Sequence, residues 1–272
     1  VALRLADLES CWEKRLAQVF PPISSAPPAE LPGFAVAVHE SLQQIRQNAG
    51  RTSPASSGIN VLKEATPRGL LPGFPGTNCE FDMRRAFQLA GGDVRVLVFR
   101  NNSPAALSES LAELAAEIDQ AQILAFSGGF SAGDEPDGSG KFIASVIMNS
   151  TVKAAIERLQ QRGGLILGIC NGFQALVKSG LLPYGRIGEL TEESPTLFHN
   201  DVNRHISQIV TTRVASVASP WLANFTLGEL HSVVASHGEG KFVVSEEMAE
   251  ELFANGQVAF QYADMEGNAT TD

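Results

Sequence analysis

Gly163-Gly-Leu-Ile-Leu-Gly-Ile-Cys-Asn-Gly-Phe-Gln-Ala-Leu176 is the stretch on which the fold turns. Residues 165–167 are apolar and read as a short buried strand, and residues 173–178 read as the start of a helix. Between them lies Gly168-Ile-Cys-Asn-Gly172. A glycine two positions to either side of a central nucleophile is the mark of a sharp strand-to-helix turn, where a bulkier residue would collide. Such a turn exposes the side chain at its tip. It also aims the free N–H groups of the following helix at that tip, which favours a thiolate. Cys170 is therefore the candidate nucleophile, and the N–H of Asn171 is one half of a candidate oxyanion hole. The bland reading is a buried cysteine beside a glycine-rich turn.

Working outward, alternating apolar and helical segments surround this turn. Strands are expected at residues 94–99 and 123–126, and helices at 83–89, 107–118 and, as one long helix, 142–159. Leu107, Leu111, Leu114 and Ile118 share one face of the second helix. Strand, helix, strand, helix in these lengths implies a mostly parallel sheet covered on both faces. After Gly180 the texture turns to β, with strands expected at 209–217, 230–235, 241–244 and 258–262. Towards the start, residues 1–20 read as a helix with Leu5, Leu8, Trp12, Leu16 and Val19 on one face, stopped by Pro21 and Pro22. Residues 21–66 are rich in Pro, Ser, Ala and Gly and read as a linker with one amphipathic segment at 36–46. The expected division is a connector at 1–65 and a catalytic domain at 66–272. The closing residues Asn268-Ala-Thr-Thr-Asp272 carry no closing element, so the chain reads as a piece of something longer.

Composition narrows the functions. A net charge of -10 argues against nonspecific binding to nucleic acid or anionic lipid. Three cysteines, Cys11, Cys79 and Cys170, make no disulfide framework and suit a reducing, cytoplasmic setting. No apolar run reaches the length that spans a membrane. No pair of histidines or cysteines has metal-ligand spacing.

A second informative stretch is Ser127-Gly-Gly-Phe-Ser-Ala-Gly-Asp-Glu-Pro-Asp-Gly-Ser-Gly140, directly after a strand. Ligands of open parallel sheets bind at the carboxyl ends of strands, where this loop and the Cys170 turn would lie together. Backbone N–H groups near Gly129 and Ser131 are candidates to complete the oxyanion hole. Phosphate cradling is the rival use, but Lys141 is followed by Phe142, not by the hydroxyl residue of a P-loop. For the base, His237 in Ser236-His-Gly-Glu-Gly240 is the best local candidate, with Glu239 placed to touch it. His199 and His205 read as polar loop contacts, and His39 as structural or exposed. Cys79 precedes a helix, which would lower its pKa, but lacks flanking glycines and reads as a pocket-wall residue.

Five separated motifs, in order, carry a family resemblance. They are Phe74-Pro-Gly-Thr-Asn-Cys-Glu-Phe-Asp82, the run from Ser127 to Gly138, Gly168-Ile-Cys-Asn-Gly-Phe-Gln174, Thr196-Leu-Phe-His-Asn200 with Arg204-His205, and Ser236-His-Gly-Glu-Gly-Lys241. Together they resemble the glutaminase domain of phosphoribosylformylglycinamidine synthase, over about residues 66 to 272. Residues 1–65 resemble the connector of the long single-chain form. The resemblance implies a class I glutamine amidotransferase with a flavodoxin-like α/β sandwich. It implies Cys170 as nucleophile, Gln174 as a substrate-holding residue, and Gly128, Gly129, Phe130 and Ser131 as the oxyanion loop. The implied substrate is L-glutamine and the implied partner is the synthetase domain, which would bind ATP and Mg2+. In the family the catalytic histidine and glutamate lie in a His-x-Glu element near the C-terminus, which these residues do not contain. The motif around His237 and Glu239 matches an earlier one near the cleft, so the resemblance lowers His237 as base and implies a poor glutaminase. Another cysteine hydrolase of the same fold, and a docking or regulatory domain without activity, are the alternatives.

Overall fold

The computed structural model describes Arg4, residues 66–134 and residues 139–270. The expected connector at 1–65, with its helices at 1–20 and 36–46, Cys11 and His39, lies outside the described residues apart from Arg4. The described chain forms two compact units. One holds residues 66–197 and 242–257, and the other holds residues 198–241 and 258–270.

The first unit is built on four parallel strands: β1 (Arg68–Gly73), β2 (Asp93–Val98), β3 (Ile123–Phe126) and β4 (Leu165–Gly168), in the order β2-β1-β3-β4. Helices α1 (Glu80–Leu89) and α2 (Pro104–Gln120) connect the first three strands. The chain steps from β1 outward to β2 and then back past β1 to β3, so right-handed crossovers put α1 and α2 on opposite faces. Helices α3 (Lys141–Met148), α4 (Ser150–Gln161) and α5 (Asn171–Lys178) follow, and α2, α4, α3 and α5 pack in a chain of neighbours. The short α6 (Leu181–Tyr184) and, later, α7 (Glu246–Ala254) complete this unit. The expected parallel sheet flanked by helices is therefore present, with the strand order of a flavodoxin-like fold.

The core explains the arrangement. Leu70, Leu124, Ile143, Ile147, Ile156 and Leu159 are almost wholly buried between sheet and helices. Phe74, Phe99, Phe126 and Phe142 gather at the carboxyl end of the strands, with Phe74 and Phe99 centroids 5.0 Å apart. Offset and edge-on contacts of this kind add to the area they bury.

Three local expectations are corrected. Strand β1, one of the two inner strands of this sheet, is not read from the sequence as a strand, because Gly69, Pro72 and Gly73 interrupt its pattern. The long helix expected at 142–159 is two helices. Asn149 takes an extended ψ of 132°, and its side chain accepts from the Thr151 N–H to cap α4. Strand β4 is half-buried rather than fully buried, because it forms an edge of the four-stranded sheet.

The second unit is an antiparallel sheet. Strand β5 (Ile206–Val214) pairs along its length with β6 (Leu230–His237), and its far end pairs with β7 (Phe260–Tyr262). The β-rich texture expected after Gly180 is present here, with the first long strand starting three residues earlier than expected.

Candidate active site

Strand β4 ends at Gly168 and α5 begins at Asn171, so the chain turns from strand to helix in two residues. Cys170 stands on that turn with φ 53° and ψ -111°, a strained backbone for a residue with a side chain. Its side chain is exposed. Both flanking glycines are required by space. A Cβ on Gly172 would fall 2.3 Å from the Phe126 carbonyl oxygen, and one on Gly168 would fall 2.7 Å from the Gly172 carbonyl. The turn is held by Gly172 N–H donating to Ser127 O at 3.1 Å and Gln174 N–H donating to Cys170 O at 3.0 Å.

The loop after β3 runs alongside. Gly128 is buried, and a Cβ built on it would lie 3.8 Å from Cys170 Sγ and 3.7 Å from Cys79 Sγ. The loop is tied to the one after β1 by a bridge at Thr77 and Gly129, where Asn78 N–H donates to Gly128 O and Phe130 N–H donates to Gly76 O. Gly129 has φ 126°, and a Cβ there would meet Thr77 Cα at 2.6 Å, so only glycine fits.

These bonds sort the expected oxyanion residues. The Ser131 N–H donates to Asn171 Oδ1 at 3.2 Å, and the Phe130 N–H is held by Gly76 O. Neither is available to a substrate oxygen, which corrects the expected use of the Phe130 and Ser131 N–H groups. Among the described residues the Gly128, Gly129 and Asn171 N–H groups have no protein acceptor. Gln174 is buried on α5, and its Oε1 accepts from Asn171 Nδ2 at 3.1 Å.

Cys79 caps α1 without a side-chain capping bond. Its thiol pKa is raised, not lowered as its position suggested. Burial raises it most, followed by Asp82, Cys170 and Glu80. Beside it the Glu80 carboxylate is buried and accepts from the hydroxyls of Thr77 and, at 3.2 Å, Ser127. Glu80 and Asp134 are the polar residues of this site that sequence reasoning did not single out. Each has one partner far away in the chain, Ser127 for Glu80 and Asn171 for Asp134.

His237 and Glu239 belong to the second unit. The expected contact between them gives way to two separate pairs. His237 Nδ1 lies 3.0 Å from Asn200 Oδ1, and Glu239 lies 3.7 Å from His199 Nδ1. Asn200 also donates to the His237 carbonyl at 2.8 Å, so the turn is braced from both ends. His205 Nε2 is 2.9 Å from Ser236 Oγ. The unit that carries Cys170 contains no histidine among its described residues. Among the described residues no cluster of His, Cys, Asp and Glu could hold a metal ion, and no helix is long and apolar enough to cross a membrane.

Residues 66–272 match the CobB/CobQ-like glutamine amidotransferase domain family. The phosphoribosylformylglycinamidine synthase subunit PurQ of Rhodospirillum rubrum is 33% identical over 196 residues, which are 71% of this chain and 72% of that one. The subunit PurQ of Chlorobaculum tepidum is 32% identical over 199 residues, 73% of each chain. A chain in the structure of PurLQS from Thermotoga maritima shares the fold, with a TM-score of 0.53 at 22% identity, covering 75% of this chain and 80% of that one. The chain belongs to this family of glutamine amidotransferases, in the branch of the PurQ subunits of phosphoribosylformylglycinamidine synthase.

Proposed function

We propose that this chain releases ammonia from L-glutamine through a thioester on Cys170. The observation that carries the reading is the Cys170 elbow: an exposed thiol on a strained turn, beside the unpaired N–H groups of Asn171 and the glycine pair Gly128 and Gly129. The thiolate attacks the side-chain carbonyl carbon of glutamine, and a C–S bond forms as the carbonyl oxygen becomes an oxyanion. Donors fixed in advance beside that oxygen stabilise it without reorganising. The C–N bond then breaks, and the nitrogen takes a proton and leaves as ammonia. Water attacks the thioester, the C–S bond breaks, and glutamate leaves. Proton transfer needs a base, and any histidine in that role comes from outside the unit that holds Cys170.

The ammonia would serve a synthetase partner, which uses ATP and magnesium to convert formylglycinamide ribonucleotide to formylglycinamidine ribonucleotide. The PurQ name of the relatives supports this reading. We assign ATP and magnesium to that partner and none to this chain.

Labelling of Cys170 by a glutamine-mimicking chloroketone tests the proposal. Mass spectrometry should find the adduct on Cys170, L-glutamine should slow its formation, and Cys170→Ala should abolish it. Equal labelling with and without glutamine would overturn the glutamine reading and leave another amide as substrate.

A further inference from the structure

We infer that Asp134 is the positioning residue of this site, setting the oxyanion donors through the side chain of Asn171. The inference deepens the reading above and rests on it for the identity of the donors.

Asp134 closes the short turn Ser131–Gly133 with φ 57°, a left-handed backbone that Asp, Asn and Gly adopt most easily. From there its carboxylate meets both parts of the site. It accepts from the Gly140 N–H at 3.0 Å and from Ser131 Oγ at 3.4 Å, both from the loop after β3. It also accepts from Asn171 Nδ2, at 3.1 Å to one oxygen and 2.9 Å to the other. Asn171 itself is wholly buried.

A carboxylate only accepts, so it can face only the NH2 end of the Asn171 amide. The amide oxygen is thereby turned the other way, where it accepts from the Ser131 N–H at 3.2 Å. Asp134, with Gln174 Oε1 as a further acceptor at 3.1 Å, thus selects the rotamer of Asn171, and Asn171 in turn fixes the loop that carries Gly128 and Gly129. The residue after the nucleophile and the glycine pair are locked to each other across the thiol. Asp134 touches none of the reacting atoms, and its effect is on where the donors stand.

The test compares two reagents at Cys170. A glutamine-mimicking chloroketone is attacked at its carbonyl, an oxyanion forms, and sulfur then displaces chloride as the carbonyl returns. Iodoacetamide is attacked directly at its CH2 carbon, iodide leaves, and no oxyanion forms. Asp134→Asn keeps the left-handed backbone and the volume but replaces one of the two acceptor oxygens that Asn171 Nδ2 meets, at 3.1 and 2.9 Å, with an NH2 group that cannot accept. It should slow the chloroketone about tenfold or more and leave the iodoacetamide rate within about twofold of wild type. Asp134→Gly keeps the backbone with no side chain and should show the same selective loss, should Asp134→Asn fold poorly. A wild-type ratio of the two rates in either folded variant overturns the inference. Failure of L-glutamine to slow chloroketone labelling of the wild type overturns the substrate reading instead, and the two failures are read from different samples.

Discussion

Gly128 and Cys170 face each other so closely that a side chain on the first would begin 3.2 Å from the Cβ of the second. On the proposed reading, the missing side chain leaves room for a substrate carbonyl to meet the thiol. In Gly128→Ala the new methyl would stand in that space. The contact is tight but yields by a few tenths of an ångström, so the fold should survive with little change in Tm. Chloroketone labelling of Cys170 should fall about a hundredfold, the scale on which loss of one oxyanion donor is felt. Unchanged labelling in a folded variant would contradict the placement of the pocket.

Gly172 behaves differently. Its absent Cβ would fall on backbone, the carbonyl of Phe126, which cannot swing aside. Gly172→Ala should cost about 2–3 kcal/mol of stability or more, as overpacking does. Urea denaturation measures this, and a cost under about 0.5 kcal/mol would show that the elbow is looser than its geometry indicates.

The two cysteines beside Gly128 should react in a fixed order. Burial, and then Asp82, keep the Cys79 thiol protonated to higher pH than an ordinary cysteine. Only the thiolate attacks. Limiting iodoacetamide at neutral pH should therefore modify Cys170 before Cys79, as peptide mapping would show. Modification of Cys79 should rise only at a pH above the ordinary thiol range, and Asp82→Asn should bring that rise to lower pH.

Glu80 ties together the loops after β1 and β3 by accepting from the hydroxyls of Thr77 and Ser127. Removing its carboxylate in Glu80→Ala leaves the buried Ser127 hydroxyl without the acceptor it has at 3.2 Å. The expected loss is about 1–3 kcal/mol, and Glu80→Gln, which keeps one acceptor oxygen, should lose much less. Comparing their denaturation midpoints checks this.

A pH effect on stability is expected where α2 meets α4. Arg158 grips Asp119 with two bonds of 2.8 and 2.7 Å, and that hydrogen bonding holds the Asp119 carboxyl below its usual range. A depressed carboxyl contributes fully above its unfolded pKa of about 4 and loses its contribution as pH falls through the folded value. Both side chains are largely exposed, so water and salt weaken the effect. The stability gap between wild type and Asp119→Asn should be constant above about pH 5 and should close in acid. A gap that widens in acid would reverse the assignment.

The elbow was legible because steric demand writes itself into sequence: a tight turn around an exposed Cys170 needs a glycine two positions to either side. The strands from 94, 123 and 165 were legible from apolar runs. Strand β1 was hidden by its glycines and by Pro72, which it tolerates because it pairs with β3 only at Gly69 and Leu70. The break at Asn149 lay inside an unbroken apolar rhythm. The cap that starts the second helix is the Asn149 side chain itself, accepting from the Thr151 N–H. Helix α7 was not expected among the strands after Gly180; the Ser245 hydroxyl caps it by accepting from the Met248 N–H. Asp134 and Glu80 could not be found in this way. Their importance lies in what they touch, across 37 and 47 residues of chain.

The early parting of β1 from β3, and the rejoining of their loops at Thr77 and Gly129, give the backbone the form of a closed eyelet. Its circumference is set by residue count on both arms. One inserted residue in either arm would put the rejoining pair out of step and rotate the glycine donors away from the sulfur. Loop grafts tolerated elsewhere around the sheet should fail here unless both arms are exchanged together.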